Sequence, residues 1–304
     1  MSIQDYSDTI LSSGVRLTIP LAFAACGEYV AQRAGTLNIS VEGMLLGSAF
    51  TSVAAASASG SASVGLVVGV LTGLLLGALH GNLSHRIQIN TFVVGLVINA
   101  LVLGLTSYLI ATSDFATNQV ARLSIPVLRD IPFIGQALFT QRWPAYLLLL
   151  IIPLTWWVVE RSRWGLELRA VGENPQAADV TGIKVNLRRR QALLWCGALS
   201  GLGGSYLAVG LIGSFNANMT AGRGYIVIAA VIFGAWRLRR ALIGCFLFGI
   251  SDALRLALPA LGVEVNTQLL IAAPYVLALL AMVIFTTSHR EPKALAQPFE
   301  RGST

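Results

Sequence analysis

Long apolar stretches alternate with short polar segments along almost the whole chain. Four stretches contain no Asp, Glu, Lys or Arg: Gly43–His85, Ile87–Ser113, Gln191–Gly222 and Val265–His289. A membrane-spanning helix needs about 20 predominantly apolar residues. The first stretch is therefore long enough for two spans, and each of the others for one. This pattern predicts an all-α fold, a polytopic membrane helix bundle.

The apolar segments predict about nine transmembrane helices within a single membrane domain over residues 1–304. The predicted spans are 11–31, 41–58, 63–83, 91–111, 144–160, 191–211, 224–236, 241–259 and 267–287. An odd number of crossings places the two termini on opposite sides. With the C-terminus in the cytoplasm, 15 of the 21 Lys and Arg residues lie on that side, as the positive-inside rule requires. We therefore expect an external N-terminus.

Composition supports a membrane protein over a soluble one. The chain is 55% hydrophobic and only 12% charged, with a mean hydropathy of +0.71, whereas soluble domains carry about 25% charged residues. The net charge of +7 follows from basic cytoplasmic loops. It therefore predicts contact with membrane lipid and no binding of nucleic acid.

A polar island, residues 161–190, interrupts the apolar pattern and holds seven of the 21 Lys and Arg residues. Within it, Asn174 is a good N-cap, Pro175 suits a first helical position and Gly182 can end a helix. These signals predict a short helix over Pro175–Val180 on the cytoplasmic side. An ordinary amphipathic connector is the alternative.

Glycines recur every four residues in the third predicted span, at Gly65, Gly69, Gly73, Gly77 and Gly81. Gly197 and Gly201 repeat the spacing in the sixth span. Such stripes let neighbouring membrane helices approach closely, so they predict a tightly packed bundle. Cys26, Cys196 and Cys245 lie in apolar runs and are expected to be small buried side chains.

Polar residues within the spans are candidates for a solute pathway, because each is costly in lipid. Asn38 and Glu42 are four residues apart, which predicts one shared helix face at the start of the second span. Glu42 either caps a broken helix near Gly35 and Gly43 or faces the pathway.

Further polar candidates lie in the fourth and eighth spans. Asn90, Thr91 and Asn99 could form one wall of a pore, or bond neighbouring helices. Asp252 and Arg255 are three apart, which favours an ion pair or an external contact for a binding protein. The external segment Thr112–Arg142 is interpreted either as a lid or as a tether.

The sequence contains no constellation typical of catalysis, a metal site or a bound cofactor. His80 and His85 are expected at the cytoplasmic interface. No G-x-x-x-x-G-K-[ST] phosphate loop is present, so ATP binding by that route is excluded. The sequence therefore indicates a transport protein rather than an enzyme.

Four blocks in order resemble the permease subunits of bacterial ABC importers for nucleosides and simple sugars, relatives of the ribose and branched-chain amino acid permeases. They are GTLNISVEGMLLGSA (35–49), LRAVGENPQAADVTGIKV (168–185), GALSGLGGSYLAVG (197–210) and MTAGRGYIVIAAVIFGAW (219–236). The resemblance implies an ATP-driven importer of nucleosides in the bacterial inner membrane. A simple-sugar permease and an ion-coupled secondary transporter are the alternatives.

The resemblance also implies partners and site residues. The expected partners are an ATP-binding subunit, a second permease chain in a heterodimer and an extracytoplasmic substrate-binding protein. A coupling helix that contacts the ATP-binding subunit would comprise Glu173, Asn174, Pro175, Gln176, Ala177, Ala178, Asp179 and Val180. The MTAGRGY block would lie near the solute pathway, which makes Asn216 and Asn218 candidate contacts. Phe92, Phe215 and Tyr225 could stack on a nucleobase, or could be ordinary interfacial aromatics.

Overall fold

The protein is described by a computed structural model. It describes residues 3–112, 115, 117, 119–123, 138–260, 268, 272, 276 and 291–300. Almost all of their regular structure is helical, apart from isolated β-bridge residues such as the pair Arg122 and Arg142. The structure therefore confirms a helical bundle.

In the described part of the chain, ten α-helices have defined bounds. They are α1 (Ile3–Arg33), α2 (Val41–Ser59), α3 (Ala62–His85), α4 (Thr91–Ala111), α5 (Leu147–Arg161), α6 (Arg163–Glu173), α7 (Pro175–Val180), α8 (Val185–Ser205), α9 (Arg223–Phe233) and α10 (Leu238–Ala260). A 3₁₀ turn, Trp143–Tyr146, precedes α5, and a π-helical segment, Tyr206–Ile212, continues α8.

Seven helices in the described part of the chain are long and apolar enough to cross a membrane. They agree with seven of the predicted spans. The predicted span 224–236 is the shorter apolar helix α9, of 11 residues. Apart from residues 268, 272 and 276, the predicted span 267–287 lies outside the described residues. The orientation of the termini stays a prediction.

The helices divide into a buried centre and a periphery. In the most apolar windows of α2 and of α8 with its π segment, 72% and 78% of residues are buried. The corresponding shares are 28% in α3 and 33% in α4 and α10. The peripheral helices expose leucine and valine side chains, which is the expected outer surface of a bundle solvated by lipid.

The glycine stripe of α3 packs against α8 and, at Gly65, against α2, which confirms the close helix approach that its spacing predicts. A β-carbon added at Gly77 would lie 2.5 Å from the carbonyl oxygen of Leu193. One added at Gly73 would overlap the carbonyl of Gly197, and the reverse is also true. The two backbones are thus in direct contact, a packing mode that only small residues allow.

Candidate functional site

A cavity of about 350 Å³ lies between α2, α4 and the start of α9. Four polar residues line it, together with apolar side chains such as Leu46 and Leu103. The four are Glu42, Asn99, Asn218 and Tyr225. All four were predicted as pathway residues from the sequence, although they lie far apart along the chain.

Glu42 is in the first turn of α2 and caps the N-terminus of a different helix, α9. Its Oε1 accepts hydrogen bonds from Thr220 Oγ1 at 2.6 Å and from the Gly222 N–H at 2.9 Å. Its Oε2 accepts one from the Gly224 N–H at 2.6 Å. Backbone N–H groups at a helix N-terminus stabilise an anion, so this carboxylate needs no basic side chain beside it.

The capping interpretation of Glu42 therefore applies to a different helix, and its place in a solute pathway stays a prediction. Glu42 is a capping residue, but the helix that it caps begins about 180 residues later rather than near Gly35 and Gly43. It also lines the cavity, with 8% of its surface exposed. Gly224 permits this contact, because a β-carbon there would overlap the backbone of Glu42.

Asn99 joins three elements around the same cavity. Its Oδ1 accepts from the Gly43 N–H at 2.7 Å, and its Nδ2 donates to the Ile39 carbonyl at 2.9 Å and to the Tyr225 hydroxyl at 3.0 Å. The Tyr225 hydroxyl accepts in that bond and keeps its own proton for another acceptor. Asn99 therefore bonds neighbouring segments and also lines the cavity.

Asn38 is not on the same helix face as Glu42, and this prediction was wrong. α2 begins at Val41, and Asn38 lies in the connector before it. Its Oδ1 accepts from Ser40, and its Nδ2 contacts Cys196 Sγ at 3.2 Å. Asn38 is therefore a buried connector residue outside the lining of the cavity.

The other predicted pathway residues also lie outside that lining. Asn90 is the N-cap of α4, where it accepts from the Phe92 and Val93 N–H groups. Thr91 bonds His80 at 2.8 Å. Two predicted residues come from the segment before α9. Phe215 is buried against Phe50, and Asn216 is exposed in a turn.

His80 and His85 lie near the end of α3 and are buried inside the protein, and their place at the cytoplasmic interface stays a prediction. His80 bonds both Ser40 Oγ, at 2.7 Å, and Thr91 Oγ1, and His85 bonds Thr36 Oγ1 at 2.9 Å. These bonds hold the connector between α1 and α2 against the ends of α3 and α4. Sequence spacing gave no signal for them, because the bonded residues come from three different segments: the connector, α3 and the start of α4.

A second cavity, of about 370 Å³, lies on the other side of the α9 N-terminus and shares Asn218 with the first. Asp252 and Arg255 on its wall form the predicted ion pair, at 2.8 Å. Arg223 also bonds Asp252, at 3.0 Å, which the sequence did not indicate. The three side chains together carry one net positive charge.

The short helix α7 has the predicted bounds and caps. Asn174 Oδ1 accepts from the Ala177 N–H at 3.0 Å, Pro175 is at the first turn, and Gly182 has a positive φ of 89°. Pro175 and Ala178 are buried, whereas Val180 is 89% exposed. α7 therefore exposes the apolar side chain of Val180 on its surface. Cys26, Cys196 and Cys245 are all buried, as expected.

Comparison with known proteins assigns the family. Residues 10–287 match the family model described as the branched-chain amino acid transport system permease component. The chain is 32% identical to the nucleoside ABC transporter permease protein NupC of Lactococcus lactis, over 97% of both chains. It is 29% identical to the guanosine ABC transporter permease protein NupQ of Bacillus subtilis, over 99% of both.

A further relative has a different name. The putative glucose ABC transporter permease protein TsgC13 of Haloferax volcanii is 31% identical over 96% of this chain and 97% of its own. Permeases of this kind are multi-pass plasma-membrane proteins that transport rather than catalyse, and ABC importers pair them with an ATP-binding subunit and a substrate-binding protein. The match over residues 10–287 shows that this chain belongs to the branched-chain amino acid transport system permease family.

Proposed function

We propose that the chain is the transmembrane subunit of an ATP-driven importer of nucleosides. The cavity lined by Glu42, Asn99, Asn218 and Tyr225 is the part of the solute pathway that this chain contributes. The names of the relatives NupC and NupQ support nucleosides as the solute.

The observation that carries the solute class is the charge of the cavity. Glu42 is an anionic lining residue, and no Lys or Arg is among the described lining residues. An anionic solute would be repelled in a partly dehydrated site, which disfavours nucleotides. A neutral nucleoside offers hydroxyl and amino donors to carboxylate and amide oxygens, and its base offers acceptors to the Tyr225 hydroxyl.

The proposed coupling segment is Glu173–Val180, which comprises the last residue of α6, the N-cap Asn174 and α7. Its buried residues Pro175 and Ala178 seat it on the bundle, while exposed Gln176, Ala177 and Val180 form a surface for the ATP-binding subunit. Because Ala177 is exposed in α7, its side chain can be changed without disturbing the fold. Ala177→Arg should therefore abolish uptake and weaken co-purification of the ATP-binding subunit, while the permease stays in the membrane.

We further propose that this chain forms a heterodimer with a second permease chain, which closes the cavity along α4. Leu96, Ala100 and Leu103 of α4 line the cavity, and Leu96 and Leu103 are exposed. The neighbouring Val97 and Leu101 are more than half exposed. A second membrane chain packed on this face of α4 would complete the pathway.

The solute assignment is tested by uptake into proteoliposomes that contain the complete complex with its binding protein. We expect ATP-dependent uptake of labelled guanosine, which excess unlabelled uridine reduces and excess ribose or glucose does not. An ionophore that collapses ion gradients should leave uptake intact. Competition by glucose with none by nucleosides would instead support a sugar permease, the function that the name of TsgC13 favours.

A further inference from the structure

The segment Glu291–Glu300 crosses the end of the bundle that carries the polar island. Two backbone hydrogen bonds fix it between distant parts of the chain. The Ala294 N–H donates to the Gly172 carbonyl in α6 at 2.9 Å, and the Ala296 N–H donates to the Gly35 carbonyl after α1 at 3.0 Å. The segment therefore joins the polar island to the α1–α2 connector.

Arg189 of α8 holds the middle of this segment. The residue has no exposed surface, and its guanidinium donates to the carbonyl oxygens of Gln297, at 2.7 Å, and Ala294, at 3.4 Å. A buried cation is costly unless it is hydrogen-bonded. The carbonyls of the segment accept from both terminal nitrogens of Arg189, while its Nε has no hydrogen-bond partner among the described residues. Arg189 therefore fixes the segment to the bundle.

Phe299 places the segment beneath α7. Its side chain is 7% exposed and is clustered with Val171 of α6, Ala178 of α7 and Val185 of α8. The buried side of α7 thus packs in a cluster that includes a residue from the far end of the sequence. The Phe299 carbonyl also accepts from Gln88 Nε2, between α3 and α4, at 3.4 Å.

From the connector, contacts continue to the pathway cavity. Thr36 bonds His85, and Ser40 bonds His80. Ser40 directly precedes α2, whose second residue is Glu42. A displacement of α7 therefore has a contiguous route through Phe299, Ala296 and Gly35 to the helix that carries Glu42.

We propose that Glu291–Glu300 is a strut that transmits movement of α7 to the α1–α2 connector, with Phe299 and Arg189 as its positioning residues. This inference rests on the proposed role of α7 as the coupling helix. It adds a second route from α7 to the pathway, beside the direct continuation of the chain from α7 into α8.

The test measures solute imported per ATP hydrolysed by the complete complex in proteoliposomes, together with membrane abundance. We expect Phe299→Ala to lower this ratio about fivefold, within the range of coupling between sites, at unchanged abundance. Phe299→Leu should restore most of it by refilling the cluster. Lys293→Ala, at an exposed position of the same segment, is the matched control and should leave the ratio unchanged.

An unchanged ratio in Phe299→Ala, or an equal loss in Phe299→Leu and Lys293→Ala, would overturn the strut. If Phe299→Ala lowers abundance, Ala178→Cys combined with Phe299→Cys serves instead. Cross-linking that pair should preserve uptake, because a strut moves with α7, and a block of uptake would overturn it. Ala177→Arg separates the two proposals: if it leaves uptake intact, the coupling-helix role itself is wrong.

Discussion

Glu42 and Glu28 are both buried glutamates, and neither forms an ion pair with a basic side chain among the described residues. Their surroundings are very different. Glu42 accepts three hydrogen bonds of 2.6–2.9 Å at the N-terminus of α9 and borders a cavity. Glu28 of α1 has no exposed surface, and it accepts from Gln32 Nε2 at 2.8 Å and from the Asn38 N–H at 3.3 Å.

These surroundings indicate different roles: Glu42 is accessible to a solute in the cavity, whereas Glu28 holds structural elements together. Glu42 is bonded to a helix terminus, whose partial charge stabilises the anion, and it borders open space. Glu28 is enclosed by Gln32, the connector and Cys196, whose Sγ lies 3.5 Å away. We therefore expect changes around Glu42 to alter transport and changes at Glu28 to alter it little.

The largest effect is expected from Gly224→Ala, which tests whether α2 and α9 must touch at Glu42. The added β-carbon would overlap the backbone of Glu42, and overpacking of this kind costs about 1–3 kcal/mol. Uptake and the melting temperature of the purified permease should both fall. Gly104→Ala in α4 is the control, because a β-carbon there meets nothing within 4 Å. Equal melting temperatures of the two variants would contradict the contact.

Glu42→Gln should have the next largest effect on uptake. The amide keeps the shape but presents an NH₂ group to one set of donors, and hydrogen bonds to charged groups contribute about 1.5–3 kcal/mol each. Uptake should fall by about 10- to 100-fold, at unchanged membrane abundance. Uptake of labelled guanosine at saturating binding protein is the measurement. Wild-type rates in this variant would show that the charge of Glu42 has no part in transport.

Tyr225→Phe should have a smaller effect. It removes the hydroxyl that accepts from Asn99 and that is free to donate into the cavity. The loss of one neutral hydrogen bond is about 0.5–1.5 kcal/mol, so uptake should fall by about 2- to 10-fold. The Tyr108→Phe variant, on an exposed position of α4, controls for loss of a hydroxyl as such. A similar change in both variants would rule out a specific role for Tyr225.

The smallest effect is expected from Glu28→Gln. The amide can accept from Gln32 through its oxygen and matches the carboxylate in size, so uptake should stay within about twofold, because isosteric changes disturb packing least. Uptake assayed beside Glu42→Gln makes the comparison direct. A loss as large as that of Glu42→Gln would show that both glutamates serve transport.

The parts predictable from the sequence are those with local signals. Asn174, Pro175 and Gly182 lie within nine residues and determine α7, while the four-residue glycine repeat determines the face of α3 that meets α8. Asn38 was wrongly placed on a helix face shared with Glu42, because residues 34–40 form a connector that is held by His80, His85 and Cys196. The bond between Glu42 and Gly224 spans 182 positions, a separation at which spacing along the chain carries no information.

The backbone contact between α3 and α8 limits how this permease can move. Gly73 and Gly77 touch Gly197 and Leu193 without intervening side chains, so a slide of one residue would drive larger side chains into the opposing carbonyls. We therefore expect the pair to move as one rigid body through any transport cycle. The same holds where Gly224 of α9 meets the backbone of Glu42, so α2 and the start of α9 should also move together.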